Sequence, residues 1–361
     1  MKKLISALQE IDNKPLSVTL GFDGFVDTII KLVHHRNAEG ANVYFDSVKD
    51  WGEYITERVG KSFTIELSNM AIKLGGNMPI MANALANLGL NINCVGAMGH
   101  PNVHAVFEQM SKRCSLLSYA VPGLTQALEF KDGKIMLGNV EDLNHTDWSI
   151  LKERVGLDTL IKATESSVLV GMLNWGELEK STSVWKGFLK EVLPMCKHVN
   201  PILFADLSDC SKRSHEEIKE ILLLLQESSS RCKVILSLNL NEAHTLHKVI
   251  YSKPIQENDL QKLGEALLQK LELNILLLHN RKEAAAVTHE RSARRQSLFV
   301  ENPKLLTGAG DNFNAGFCLG QLLHLDLDDS LILAHAVSNY YIENGSSPTV
   351  KDLMERIELN N

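Results

Sequence analysis

Short apolar runs alternate with longer stretches of helical spacing for much of the chain. Residues 17–22, 91–96, 167–171, 202–206, 233–238 and 275–279 are rich in Val, Ile, Leu, Ala and Phe, the pattern of strands buried on both faces. Residues 78–88, 214–227 and 259–272 carry apolar positions at helical spacing, and Gly89 directly after the first suits a helix C-terminus. This alternation predicts an α/β fold: a doubly wound, mainly parallel sheet flanked by helices, as a single domain over 1–361. Two stretches break the rhythm. Residues about 25–48 and 115–140 lack long helical patterns, and the second places Asp132-Gly133 between two apolar runs, a hairpin signal. They read as a small β lid projecting from the core, or else as an edge hairpin of the main sheet.

Composition narrows the function. With 44% hydrophobic and 22% charged residues, the chain has the make-up of a globular protein able to bury a large core. A net charge of −7 argues against a general nucleic-acid binder, though not against phosphorylated ligands held by local donors. The 6 cysteines are scattered without a C-x-x-C pair, which fits reduced thiols in a cytoplasm better than disulfides or zinc. The lysine-led start at 1–5 loses its apolar character at Gln9-Glu10-Ile11-Asp12, so export is not expected. No run approaches the ~18 apolar residues of a membrane span. Neither a P-loop nor a G-x-G-x-x-G occurs, which lowers P-loop kinase and dinucleotide-dehydrogenase readings.

Four segments carry candidate chemistry. In Thr307-Gly308-Ala309-Gly310-Asp311, small residues allow a tight turn ahead of a buried helix at 315–323. Free N–H groups at a helix start favour an anion, and Asp311 beside them suits a general base that deprotonates a hydroxyl attacking a phosphoryl group. A plain N-cap is the alternative. Asp23 and Asp27 follow the first strand, where carboxylates either hold sugar hydroxyls or shape a turn. Gly75-Gly76-Asn77 precedes the first large helix and permits close backbone approach to a ligand. Asn239-Leu240-Asn241-Glu242 ends a predicted strand. It either organises a hydrated Mg²⁺ or makes a capping box.

Taken in order, these segments resemble the ribokinase-like (PfkB-type) carbohydrate kinases over nearly the whole chain. The Thr-Gly-Ala-Gly-Asp run is similar to their C-terminal signature, 75–77 to their Gly-Gly signature, and 334–345 to their last helix beside the adenine pocket. The resemblance implies a sugar kinase that moves the γ-phosphoryl of ATP, with Mg²⁺, onto a primary hydroxyl. It implies Asp311 as base, with the N–H groups of Gly308, Ala309 and Gly310 as the anion hole. It places Asp27, with Asp23 as rival, and Gly75, Gly76 and Asn77 on the sugar. Thr307, Asn239, Asn314 and Asn339 fall on the nucleotide, and Glu242 with Asn239 on the metal through water. Lids of this family often pair between subunits, so a homodimer through the lid is a candidate assembly.

Three departures stand out. Asp27 lies one residue further from Gly21 than in many members, Ile80 replaces a common Asn, and the turn at 279–284 lacks a usual glycine. A nucleoside or sugar-phosphate acceptor, ADP as donor, and a catalytically silent sugar or nucleotide sensor stay open as alternatives.

Overall fold

The computed structural model describes residues 2–11, 16–196 and 200–359; Met1 and Asp12 of the lysine-led start and the final residues 360–361 lie outside them. Fourteen strands are described: β1 (Ser17–Gly21), β2 (Phe25–Arg36), β3 (Asn42–Tyr44), β4 (Glu66–Gly75), β5 (Asn91–Gly96), β6 (Cys114–Ser118), β7 (Gly123–Glu129), β8 (Lys134–Asn139), β9 (Leu169–Leu173), β10 (Ile202–Asp206), β11 (Lys233–Asn239), β12 (Ile275–His279), β13 (Glu283–Val287) and β14 (Ser292–Gln296). Nine form one sheet, ordered β14-β13-β12-β11-β10-β9-β1-β5-β6. It is parallel from β6 to β12 and ends in an antiparallel hairpin, β13–β14.

The apolar runs explain this sheet. Alternate residues of each strand enter opposite cores: Leu203, Val234, Leu236 and Leu276 pack on one face, and Phe204, Ile235 and Leu277 on the other. Both faces are therefore covered by helices, as a parallel sheet requires. The chain moves outward from β1 through β5 to β6, then crosses to begin the other half at β9. The β1–β9 boundary is thus a topological switch point, where the carboxyl ends of the strands open a crevice.

The second sheet has β2 at its centre, with β4 on one side, β3 and β7 on the other, and β8 beyond β7. Asp132-Gly133 sits in the β7–β8 connection, where Phe130 N–H donates to Gly133 O at 2.9 Å. The helix Val48–Thr56 covers the far end of this sheet, packing Trp51 and Tyr54 on Ile30, Leu32, Phe45 and Leu128. β4 lies outside the stretches read from the sequence as a lid. Its residues are exposed on both faces, so no clean two-residue alternation marks it. Cys114–Ser118 belongs to the large sheet, beside β5. Among the described residues, no helix is long and apolar enough to cross a membrane.

The helix Ala309–Leu322 lies close against Leu327–Asn344 because two glycines face that contact. A Cβ at Gly316 would lie 2.7 Å from Ala334 Cα, and one at Gly320 would lie 2.7 Å from Ser330 Oγ. Gly316→Val should therefore destabilise the protein by about 1–3 kcal/mol through overpacking. Chemical denaturation should show a lower midpoint at unchanged slope; an unchanged midpoint would mean that the helices can separate without cost.

Candidate active site

Three chain segments converge at the switch point through one carboxylate. Asp23, fully buried just after β1, accepts hydrogen bonds from Asn77 N and Met78 N at 2.8 Å each. Asn174 Nδ2, just past β9, donates to it at 2.9 Å. Asp23 thereby caps the helix Asn77–Asn87, whose own N-cap, Gly76, offers no side chain. Burial pushes its pKa up to about 6 against these hydrogen bonds. Gly76 has φ +96°, and a Cβ there would lie 2.8 Å from Asp23 Oδ2. A Cβ at Gly75 would lie 2.4 Å from the Asp27 carboxylate. Each aspartate is therefore seated on its own glycine.

Asp27 has a different environment. It lines a cavity of about 350 Å³ with Gly76, Asn77, Ile80, Thr125, Asn174, Glu177, Lys212, Thr307, Gly308 and Asp311. Its carboxyl is raised by burial, with a hydrogen bond from Thr125 and the charge of Lys134 acting the other way. Asp23 is not among the residues lining this cavity, so the two aspartates are separated by position.

Gly308 begins the helix Ala309–Leu322 with φ +90°. A Cβ there would lie 2.8 Å from Tyr341 Oη, so the turn requires glycine both for its conformation and for space. Tyr341 Oη donates to Thr307 O (2.8 Å), Ser338 Oγ to Ala309 O (2.9 Å) and Asn312 Nδ2 to Gly308 O (2.9 Å). Asp311 follows in the first helical turn and is buried. Burial holds its pKa well above the usual carboxylate range, and the charges of Asp206 and Asp23 add to this. The Asn77 side chain, hydrogen-bonded to it, opposes the shift.

A second cavity, of about 510 Å³, reaches the same turn from the other side. Ala309 and Gly310 line it with Asn239, His279, Arg281, Phe299, Phe313, His335 and Asn339. Phe313 sits between His279, to which it is tilted by 41°, and His335, which it meets edge-on. Burial pushes both imidazoles down to about 4, so this aromatic wall is neutral at physiological pH.

Asn239 and Glu242 form a capping box at the start of the helix Leu240–Tyr251. Asn239 N donates to Glu242 Oε2 (2.9 Å), and Glu242 N to Asn239 Oδ1 (3.0 Å). Glu242 is nonetheless raised to about 8, by burial first and then by Asp206 and Asp209; burial brings Asp206 itself to about 6. No group of three or more His, Cys, Asp and Glu close enough to ligate a metal directly occurs among the described residues. A hydrated divalent cation beside Asp206 and Glu242 fits that donor set, since it would offset their mutual repulsion and needs few protein ligands. Asn314 lines neither cavity. Its Nδ2 donates to Asp206 Oδ2 (2.7 Å) and its Oδ1 accepts from Ser237 Oγ (2.8 Å).

Several lining residues carried no signal in the sequence reading: Thr125, Asn174, Glu177, Lys212 and Phe299. Apart from Asn174 and Glu177, which share the loop after β9, they lie on separate loops and strands with no common spacing. Lys134, on β8, also reaches the turn, 3.5 Å from Thr307 Oγ1. The basic cluster at 291–295 is engaged elsewhere: Arg294 pairs with Glu283 and Asp259, and Arg295 with Asp328.

Comparisons with known proteins identify the family and the fold. A family model for prokaryotic ketohexokinase matches residues 7–359. A ketohexokinase of Haloferax volcanii is 28% identical over 338 residues, spanning 93% of this chain and 89% of the relative. Among solved structures, Arabidopsis thaliana ribokinase complexed with ribose and ATP superposes with a TM-score of 0.64 at 15% identity, over 94% of this chain and 98% of its own. Thermotoga maritima ribokinase gives 0.61 at 15%, over 96% and 100%. At these identities the structural likeness is one of fold.

The raised carboxylates make stability depend on pH. Between its ordinary value of 4.5 and about 8, Glu242 keeps its proton in the folded state after the unfolded chain has lost it. The unfolded state therefore binds fewer protons, and stability falls as pH rises through that window. Glu242→Gln keeps the cap and removes the slope, so its stability relative to wild type should rise by roughly 1–3 kcal/mol between about pH 5 and about pH 8 in metal-free buffer. Urea unfolding at both pH values measures this; parallel curves for the two proteins would contradict it.

Proposed function

The chain belongs to the prokaryotic ketohexokinase family, and on that premise we propose that it transfers the γ-phosphoryl of ATP to a hydroxyl of a ketohexose. The observation that carries this reading is the meeting of two cavities at one glycine turn, with Gly308 and Asp311 on one side and Ala309 and Gly310 on the other. An acceptor hydroxyl and a terminal phosphoryl group bound there face each other across the start of a helix. Asp311 accepts the hydroxyl proton. Its raised pKa makes it a stronger base than an ordinary carboxylate. The N–H groups of Gly308, Ala309 and Gly310 hold the charge on the phosphoryl oxygens, that of Ala309 leaving Leu306 O, to which it donates at 3.2 Å in the free protein.

Asp27, with Asn77 and the Gly75-Gly76 backbone, binds the sugar hydroxyls. Asp23 and Asn314 act one layer back, as positioning residues for the helix starts. Asn239 and Asn339 border the nucleotide, with the neutral His279–Phe313–His335 surface beneath the base, whereas Thr307, expected on the nucleotide, lines the acceptor cavity. Asp206 and Glu242 hold a hydrated Mg²⁺, which when bound neutralises phosphate charge. The small sheet closes over the acceptor and excludes water.

Charge favours a neutral acceptor over a phosphorylated one. Among the described residues lining the acceptor cavity, three carboxylates (Asp27, Glu177 and Asp311) stand against one cation, Lys212. A phosphate there would find a single lysine among three carboxyl groups.

The small sheet also supports pairing of two copies. Ile72 and Leu137 lie in one cross-strand row, with Leu124 two residues from that row on the same face, and all three are exposed. A second lid laid on this face would bury them. Ile72→Glu should then shift sedimentation from dimer to monomer; a wild-type monomer would overturn the pairing.

The enzyme test is ADP release from Mg·ATP with D-fructose, other ketohexoses, fructose phosphates and nucleosides. A ketohexose-dependent signal is expected, with phosphorylated ketoses poor. Asp311→Asn should lower kcat by about 10²–10⁴-fold while nucleotide affinity is retained. A fully active Asn variant would remove Asp311 as base. Preference for a phosphorylated ketose, or turnover only with ADP as donor, would overturn the substrate assignment.

A further inference from the structure

We propose that Lys212 is a further catalytic residue, whose ammonium contacts the transferring phosphoryl group from the acceptor side. The inference rests on the kinase reading above. The strand β10 ends at Asp206, and Asn314 Nδ2 binds Asp206 Oδ2 at 2.7 Å, which ties that strand end to the helix bearing Asp311. The loop that leaves β10 carries Lys212 into the acceptor cavity, onto the same lining as Gly308 and Asp311. Phosphoryl transfer requires charge neutralisation around the three equatorial oxygens, with the attacking and leaving oxygens in line. The turn at 308–310 supplies donors from one side only. Lys212 is the one cation among the described residues lining this cavity, while Lys134, which reaches the turn at Thr307, is paired with Glu129 (3.2 Å).

The backbone on both sides of Lys212 is held rigidly. Ser208 N donates to Asp206 Oδ1 (2.9 Å), Ser211 N to Asp209 Oδ1 (2.9 Å) and Gly176 N to Leu207 O (2.6 Å). A Cβ at Gly176 would lie 2.3 Å from Asp209 O, so the loops after β9 and β10 are in direct backbone contact. The next residue, Arg213, has a side chain only 7% exposed. Its guanidinium donates to the carbonyls of Trp175, Gly176, Leu178 and Glu179, to Ser181 Oγ and to Glu217. Arg213 is thus the positioning residue that fastens the two loops. Lys212 itself forms no ion pair among the described residues, although Glu177 and Asp209 feel its charge. A lysine serving only to fasten the loop would be engaged as Arg213 is. Lys212 is instead free to meet an incoming anion.

Steady-state kinetics of Lys212→Met with Mg·ATP and D-fructose test the assignment. Loss of a charge that acts in the transition state should lower kcat about 10²- to 10³-fold, with KM for fructose and thermal stability unchanged. Added ethylamine should restore part of the lost kcat in a saturable manner, and Lys212→Arg should retain more activity than Met. A raised KM for fructose at wild-type kcat would overturn the proposal and make Lys212 a sugar-binding residue. A loss of kcat that ethylamine does not restore, accompanied by a lowered melting temperature, would overturn it in favour of a structural role. Absence of ADP release by the wild-type protein with D-fructose and every other ketohexose would instead overturn the kinase reading on which the proposal rests.

Discussion

The buried carboxylate of Asp23 is the constraint on which the acceptor side depends. It leaves β1 at the switch point, receives the first two N–H groups of the helix Asn77–Asn87, and holds Asn174 at the end of β9. Without it the Gly75-Gly76 turn would have no anchor, and the helix start would lose its cap. Desolvating a carboxylate is unfavourable, which is why its pKa rises. Three hydrogen bonds offset that cost and fix a geometry that an apolar residue would leave loose. Asp27, four residues on and seated on Gly75, is thereby held in the cavity wall.

The same economy of backbone shapes the other wall. Gly308 permits the turn, Gly316 and Gly320 let its helix approach the following one, and Tyr341 and Ser338 on that second helix bind the turn's carbonyls. The start of the helix is thus fixed to the core rather than to the lid. The two cavities then share a rigid floor, while the small sheet supplies Asp27, Thr125 and Met136 from above. Acidic groups gather at this floor: Asp23, Asp206, Glu242 and Asp311 all sit above their ordinary pKa values. Such crowding is costly in the free protein, and cationic ligands at the strand ends relieve it.

Much of this was legible in the sequence, for local reasons. Strands buried on both faces are mainly apolar, so β5, β10 and β12 were readable to the residue. Thr307–Asp311 stands out because tight turns need small residues in succession. The capping pair Asn239–Glu242 was visible through its spacing, although spacing alone left the cap and the metal role equally open. What escaped was non-local. Asn174, Glu177 and Lys212 share no periodicity; they meet because parallel strands deliver their loops to one end and Arg213 fastens those loops. β4 escaped because exposure on both faces erases alternation. The distinct environments of Asp23 and Asp27 were likewise beyond reach, since both follow the same strand and only packing separates them.

The central claim is that ketohexose and nucleotide meet across the Gly308–Asp311 turn. A crystal structure of the protein with D-fructose and a non-hydrolysable ATP analogue addresses it most directly. The account predicts a sugar hydroxyl within hydrogen-bonding distance of the Asp311 carboxylate, other hydroxyls on Asp27, and the terminal phosphate on the N–H groups of residues 308–310. A sugar bound away from Asp311, or a nucleotide whose terminal phosphate points away from that turn, would contradict it.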